Sequence, residues 1–273
     1  MKPLPPLKNA RRILSFDFDG TLHHPADEPP VPGEFFDLVS DLRETHGALW
    51  CVNTGRSLPQ MIEGFVESRF PFLPDWVVAR EREIYQPNAF GRMIPHVTWN
   101  QRCEKEMRRL FKKCSRFLKT ARHQILEHTG AEWIEMDREP AGIIARSDEE
   151  MDWITGRLLA MEPPENLGWQ RNSIYLRFGH RGYQKGSSLA EVARLCGIDA
   201  GACFAIGDSY NDLEMLDPLH AGFIACPVNA VAEVRTRVSA HGGYLSDMAH
   251  GAGVIDALRV CFGTACGADN SLD

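Results

Sequence analysis

Residues 12–20 read RILSFDFDG, an apolar run that stops abruptly at two carboxylates, Asp17 and Asp19, one residue apart. Similar runs recur at 48–55 (ALWCVNTG), 75–79 (DWVVA), 202–209 (ACFAIGDS) and 221–226 (AGFIAC). None shows the strict alternation of a half-exposed strand, so each reads as a strand buried on both faces, the mark of a parallel sheet. Amphipathic segments at 34–46, 57–68, 186–196 and 229–238 lie between them, several stopped by glycine. Strand alternating with helix predicts an α/β fold with a doubly wound parallel sheet, whose ligands gather at the carboxyl ends of the strands. Asp17, Thr54 and Asp208 all fall at such ends.

The chain of 273 residues is long enough for one large α/β domain or for a core with a smaller companion. Between about 85 and 180 the alternation breaks. Strand candidates at 132–137 (EWIEMD), 142–147 (GIIARS) and 173–178 (SIYLRF) stand beside helices near 100–127 and 148–161, which suits an inserted α+β unit. The expected division is therefore a discontinuous core, 1–85 and 181–273, with a cap at 86–180.

A net charge of −7 argues against a nucleic-acid or anionic-membrane partner, since such binders attract phosphate through a positive surface. The apolar run before Asp17 is too short for a signal peptide and no stretch approaches a spanning helix, so the expected address is the cytoplasm, with no membrane partner. Eight cysteines, the last of them Cys266, are scattered without a C-x-x-C pair and read as reduced thiols.

Strand periodicity sends Asp17 and Asp19 to one side and Leu14, Phe16 and Phe18 to the other. Two carboxylates so close resist ionising together unless a cation lies between them. The strand CFAIG leads into GDSYNDLEML, which brings Asp208 and Asp212 to the start of a further helix. If the two strands are neighbours, the result is an all-oxygen cluster suited to Mg²⁺; zinc-type histidine and thiolate ligands are missing from it.

In order and context, DFDGTL (17–22), VNTGR (52–56), Lys185 of YQKGSSL and GDSYND (207–212) resemble the four motifs of the haloacid dehalogenase superfamily of phosphohydrolases. The resemblance covers roughly 11–85 and 180–262 and implies a Rossmann-like core. By that resemblance Asp17 is the nucleophile that forms an aspartyl-phosphate, and Asp19 is the general acid and base. Thr54, Gly55, Lys185 and Asn211 bind the phosphate; Asp17, Asp19 (through its backbone carbonyl), Asp208 and Asp212 hold or support Mg²⁺. GDSYND departs slightly from the GDGxND frequent in Cof-type members and leans toward the sucrose-phosphatase branch.

Spacing bears on the subclass. Asp17 and Thr54 are 37 residues apart, room for a helix and a flap, whereas Thr54 and Lys185 are 131 apart, room for a whole inserted domain. The chain thus resembles members with an α/β cap between the second and third motifs, such as the Cof and sucrose-phosphate-phosphatase types. The expected function is a Mg²⁺-dependent phosphatase of a small phosphorylated metabolite, in particular a sugar phosphate. The alternatives are phosphoryl transfer to an acceptor other than water, and a non-catalytic module that binds nucleic acid or protein.

That last alternative rests on one segment. Residues 101–123 hold nine Lys or Arg and two Glu, including Arg108, Arg109, Lys112 and Lys113, with apolar positions at a helical period. The bland reading is the solvated outer face of a cap helix, and no aromatic side chains interleave on its basic face as a nucleic-acid surface needs. Near the return to the core, Arg171, Asn172, Arg177, His180 and Arg181 are candidates for the substrate's non-reacting end. His23 and His24 follow the first motif, where a flap would line the entrance or stand exposed.

Overall fold

The computed structural model describes residues 1–136 and 139–263; Asp137 of the first cap strand candidate and Cys266 lie outside them. In chain order the strands are β1 (Lys2–Pro3), β2 (Arg12–Phe16), β3 (Ala48–Asn53), β4 (Phe72–Leu73), β5 (Trp76–Ala79), β6 (Glu83–Pro87) and β7 (Met93–Pro95). Then come β8 (Glu132–Met136), β9 (Glu139–Ile144), β10 (Leu167–Asn172), β11 (Tyr175–His180), β12 (Cys203–Ile206), β13 (Phe223–Cys226) and β14 (Tyr244–Leu245). The helices are α1 (Gly33–His46), α2 (Leu58–Glu67), α3 (Val97–His128), α4 (Asp148–Ala160), α5 (Lys185–Cys196), α6 (Ala232–Ala240) and α7 (His250–Phe262).

Eight strands form the large sheet in the order β14-β13-β12-β2-β3-β5-β6-β7. From β14 to β5 every pairing is parallel; β6 and β7 extend the edge as an antiparallel hairpin. The five expected strands are the five central ones, and their described side chains are almost all buried because helices cover both faces. Leu14, Phe16 and Phe18 pack on one side with α1 and α7, while Ile13, Cys203 and Ala205 pack on the other with α5. Strands β12 and β2 are direct neighbours, in register Ile206 to Phe16, so Asp17 and Asp208 emerge from adjacent strand ends.

Between β7 and α5 the chain builds a second sheet, antiparallel, in the order β10-β11-β9-β8. Helix α3 spans 32 residues as one amphipathic element, with Cys103, Met107, Leu110, Phe111, Cys114 and Leu118 buried against it. All nine basic residues of 101–123 face solvent, and Arg108 and Arg109 are paired within the helix to Glu104 and Glu106. The expected boundary at 85/86 falls inside β6. Residues through Pro95 stay on the large sheet, since hairpin hydrogen bonds to β5 hold them there.

One buried ion pair ties the sheet to its first helix. Arg43 of α1 donates Nη1 to both oxygens of Asp75 at 2.9 and 2.7 Å and Nη2 to the carbonyl of Pro5 at 2.6 Å, while Asp75 also accepts from Trp50 N. Burial raises the Asp75 carboxyl above the usual aspartate range, against the pull of Arg43 and the Trp50 N–H. A carboxyl that holds its proton more tightly when folded loses stability as pH rises from the unfolded value, near ~4, through the folded one. Arg43→Ala lifts the folded value further. Urea denaturation should show a loss of about 3–5 kcal/mol that is larger at pH 8 than at pH 5; the same loss at both would refute the pair's role.

Candidate active site

The Lys185 ammonium, on the first residue of α5, is fully buried. A cation at a helix N-terminus opposes the macrodipole, so its placement needs compensation from elsewhere. Two carboxylates provide it: Lys185 Nζ donates to Asp17 Oδ1 at 2.5 Å and to Asp212 Oδ1 at 2.6 Å. Glu214 accepts the otherwise free N–H groups of Gly186 and Ser187 at 2.9 and 3.2 Å, which secures the same turn.

Asp208 joins from the other side. Its Oδ1 accepts the Thr21 hydroxyl at 2.6 Å, and Thr21 also reaches Asp17 Oδ2 at 3.4 Å. Asp212 turns back on its own loop, its Oδ2 accepting from the N–H of Asp208 and of Ser209 at 3.0 and 2.9 Å. Two glycines make the approach possible. A Cβ on Gly20, whose φ is 81°, would lie 2.7 Å from Asp208 Oδ2, and one on Gly207 would lie 2.3 Å from Asp212 Cγ.

Oxygens of Asp17, Asp208 and Asp212 all come within 4.8 Å of one another. Three carboxylates face a single ammonium, so the cluster holds an excess of about two negative charges if all are ionised. The titration shifts express that excess. Burial and Asp212 hold the Asp17 proton well above the usual aspartate range despite Lys185, and burial with Asp212 pushes Asp208 up to about 6. Lys185 is raised as well: burial pulls it down, but its carboxylate neighbours outweigh that and keep it charged. An all-oxygen donor set with an unneutralised double charge fits a hard divalent ion such as Mg²⁺.

Asp19 departs from the expected geometry. Beyond Phe16 the chain leaves the strand and folds into a tight turn, with Leu22 N and His23 N both donating to Phe18 O. The Asp19 carboxylate therefore lies outside the acidic trio. Arg56 holds it instead, Nε on Oδ2 at 2.8 Å and Nη2 on Oδ1 at 2.6 Å, and the guanidinium stacks on Phe18 at 4.9 Å. The two carboxylates of FDFDG are thus relieved by two different side-chain cations.

Thr54, at the end of β3, is buried; its N–H donates to Val78 O, and its hydroxyl oxygen accepts from Arg56 N at 3.1 Å. Gly55 and Asn211 line the open cleft beside Asp17 and Asp19. Asn211 donates to Glu81 Oε1 at 2.9 Å and leaves its own Oδ1 without a hydrogen-bond partner among the described residues. The roles of Thr21, Arg56, Glu81 and Glu214 were not anticipated. Thr21 and Arg56 sit inside the quoted motifs, whereas Glu81, at φ 66° on the turn after β5, has no local signal.

The cleft, of about 420 Å³, is closed from above by the small sheet through Gln170, Arg171, Asn172, Tyr175 and Arg177. Contacts that cross it among the described residues include Ser209 to Asn172 at 3.3 Å, Arg177 Nη1 to Gly55 O at 3.2 Å, and Arg171 over the Tyr210 ring at 4.8 Å. Of the other candidates, Arg181 donates to Leu167 O and His180 packs on Tyr183, both outside this cleft. His23 is buried and stacked on Phe18, and His24 stacks on His250; neither lines this cleft, and the turn folds His23 inward rather than leaving it exposed.

The family model for haloacid dehalogenase-like hydrolases matches residues 76–258. A phosphoglycolate phosphatase of Methanothermobacter thermautotrophicus is 41% identical over 75 residues, 28% of this chain and 31% of that protein. The chain therefore aligns with about a third of the length of that curated relative. The sucrose-phosphatase of Synechocystis superposes with a TM-score of 0.66 at 16% identity, over 92% of this chain and 98% of that one. A haloacid dehalogenase-like hydrolase of Bacillus subtilis gives 0.65 at 14% identity over 97% and 96%. At these identities the solved structures show a shared fold. Among the described residues no helix is long and apolar enough to cross a membrane.

The buried charge cluster makes its own prediction. Lys185→Met leaves Asp17 and Asp212 facing each other without a cation, and Asp212→Asn relieves part of that. A thermal-denaturation double-mutant cycle should return a coupling of about 1–3 kcal/mol between the two; additive effects would show that the pair carries no net interaction.

Proposed function

The chain belongs to the haloacid dehalogenase-like hydrolases, and on that premise we propose that it is a Mg²⁺-dependent phosphatase of a small phosphorylated metabolite, of sugar-phosphate size, acting through an aspartyl-phosphate. The observation that carries this is the largely buried trio of carboxylates beside Lys185, with Asp17 Oδ1 already engaged. Asp17 Oδ2 accepts a long contact from the Thr21 hydroxyl at 3.4 Å, and in this reading that oxygen attacks phosphorus. The named relatives support phosphoester chemistry, and a cleft of about 420 Å³ is large enough for a hexose phosphate.

In this reading, Asp17 Oδ2 forms a bond to phosphorus as the ester oxygen departs with a proton from Asp19, which must first loosen its Arg56 pair and take up that proton from solvent. Asp19 then takes a proton from water, whose oxygen attacks phosphorus and releases Asp17. Arg56 fixes the Asp19 carboxylate at the cleft wall, and Thr54, Gly55 and Asn211 stand where phosphoryl oxygens would be bound. Lys185 holds Asp17 in place and offsets the phosphoryl charge. Asp17, Asp208 and Asp212 would hold or support Mg²⁺, which neutralises charge on the transferring group. The small sheet acts as the cap that excludes water and chooses the leaving group.

Turnover of an aryl phosphate with Mg²⁺ should fall by at least about 1,000-fold in Asp17→Asn, the scale expected for loss of a nucleophile. Equal rates in the two proteins would remove Asp17 from the chemistry. Protons and metal compete for Asp17 and Asp208, both of which hold their protons above the usual aspartate range, so calorimetric Mg²⁺ affinity should weaken as pH falls from 7 to 5. A flat affinity between pH 7 and 5 would place the ion elsewhere.

A further inference from the structure

Strand alternation on the small sheet separates two sets of side chains. On β11, Leu176 and Phe178 are buried in the hydrophobic cluster under α3, while Tyr175 and Arg177 face the cleft. In register beside them on β10, Gln170 pairs with Arg177 and Asn172 with Tyr175. Besides Arg171, the cleft face of the cap is therefore two amides, a phenol and the guanidinium of Arg177.

That guanidinium stands apart from the other cations lining the cleft. Arg56 is held by Asp19, Arg171 by Asp148 and Asp152, and Arg80 shares a longer pair, 3.7 Å, with Glu83. Arg177 donates one N–H to Gly55 O and lies 5.7 Å from the Tyr175 ring, with no carboxylate in ion-pair range among the described residues. A half-buried guanidinium without an anion has lost part of its hydration and gained no charge partner. Its planar fork is shaped for a carboxylate or a phosphate.

We propose that Arg177 is a specificity residue: it binds a second anionic group on the non-reacting end of the substrate, so the enzyme selects phosphate esters that carry a carboxylate or a further phosphate over neutral sugar phosphates. This rests on the phosphatase reading and narrows it. Neutral hydroxyls could be met by Gln170, Asn172 and Tyr175, but they would leave the Arg177 charge without a counterpart.

The test is kcat/KM on matched esters. The carboxylate arm compares 3-phosphoglycerate with glycerol 3-phosphate and 6-phosphogluconate with glucose 6-phosphate; the phosphate arm compares fructose 1,6-bisphosphate with fructose 6-phosphate. The wild-type enzyme should prefer the doubly anionic member of at least one pair by about 10- to 100-fold. Arg177→Met should shrink that ratio toward one, and Arg177→Lys should keep part of it; the arm that responds identifies the second anion. Turnover without preference in any pair overturns the assignment and leaves the phosphatase reading standing, a result that needs no variant. An equal loss on both members of each pair in Arg177→Met also overturns it, placing Arg177 on the transferred phosphate. Turnover of none of these esters, nor of the aryl phosphate, sinks both readings.

Discussion

One buried ammonium among three carboxylates organises this molecule. Lys185 reaches Asp17 and Asp212 at hydrogen-bond distance, and Asp208 closes the group through Thr21. Charges this far from water persist only when each is paired and hydrogen-bonded. Here the pairing is deliberately incomplete: the ammonium satisfies one negative charge, backbone N–H groups steady Asp212, and an excess remains. That excess is destabilising in isolation, and it is the kind of charge that a divalent ion would offset.

The parallel sheet is what assembles the group. Strands β2 and β12 are neighbours in register, so their following loops are brought together without any local attraction between Asp17 and Asp208. Strand β3 on the other side of β2 delivers Thr54, Gly55 and Arg56, and α5 enters beneath with Lys185 at its first turn. Ligand sites at the carboxyl ends of such sheets follow from this convergence of loops. The glycines at 20 and 207 then set how closely the carboxylates can pack.

The small sheet supplies a different kind of chemistry. Its apolar face is covered by α3 and α4, and its polar face looks onto the cleft with residues that have no part in the buried charge cluster. The basic stripe of α3 does not enter the cleft. It solvates the outer side of the helix, and two of its arginines are already paired along the helix, which matches the bland reading of that charge run.

The central strands and the flanking helices were legible because burial on both faces leaves a run of apolar residues that nothing else in the chain imitates. Asp17, Thr54 and Asp208 were legible for a related reason, since they stand where those runs end, whereas Lys185 rested on the resemblance of YQKGSSL to the third family motif. Elements half exposed or interrupted were not. The hairpin β6–β7 contains two prolines, β10 is largely polar, and glycines 251 and 253 obscure the start of α7. The partners of each charge were likewise hidden. Periodicity placed Asp17 and Asp19 on one side, yet the turn through Gly20 sends one to Lys185, 168 positions away, and the other to Arg56. Sequence by itself therefore determined which groups stand at the sheet's edge, since that depends on local pattern. Only the tertiary structure decided which of them meet, because Coulomb attraction and burial act across space, between residues the chain order keeps far apart.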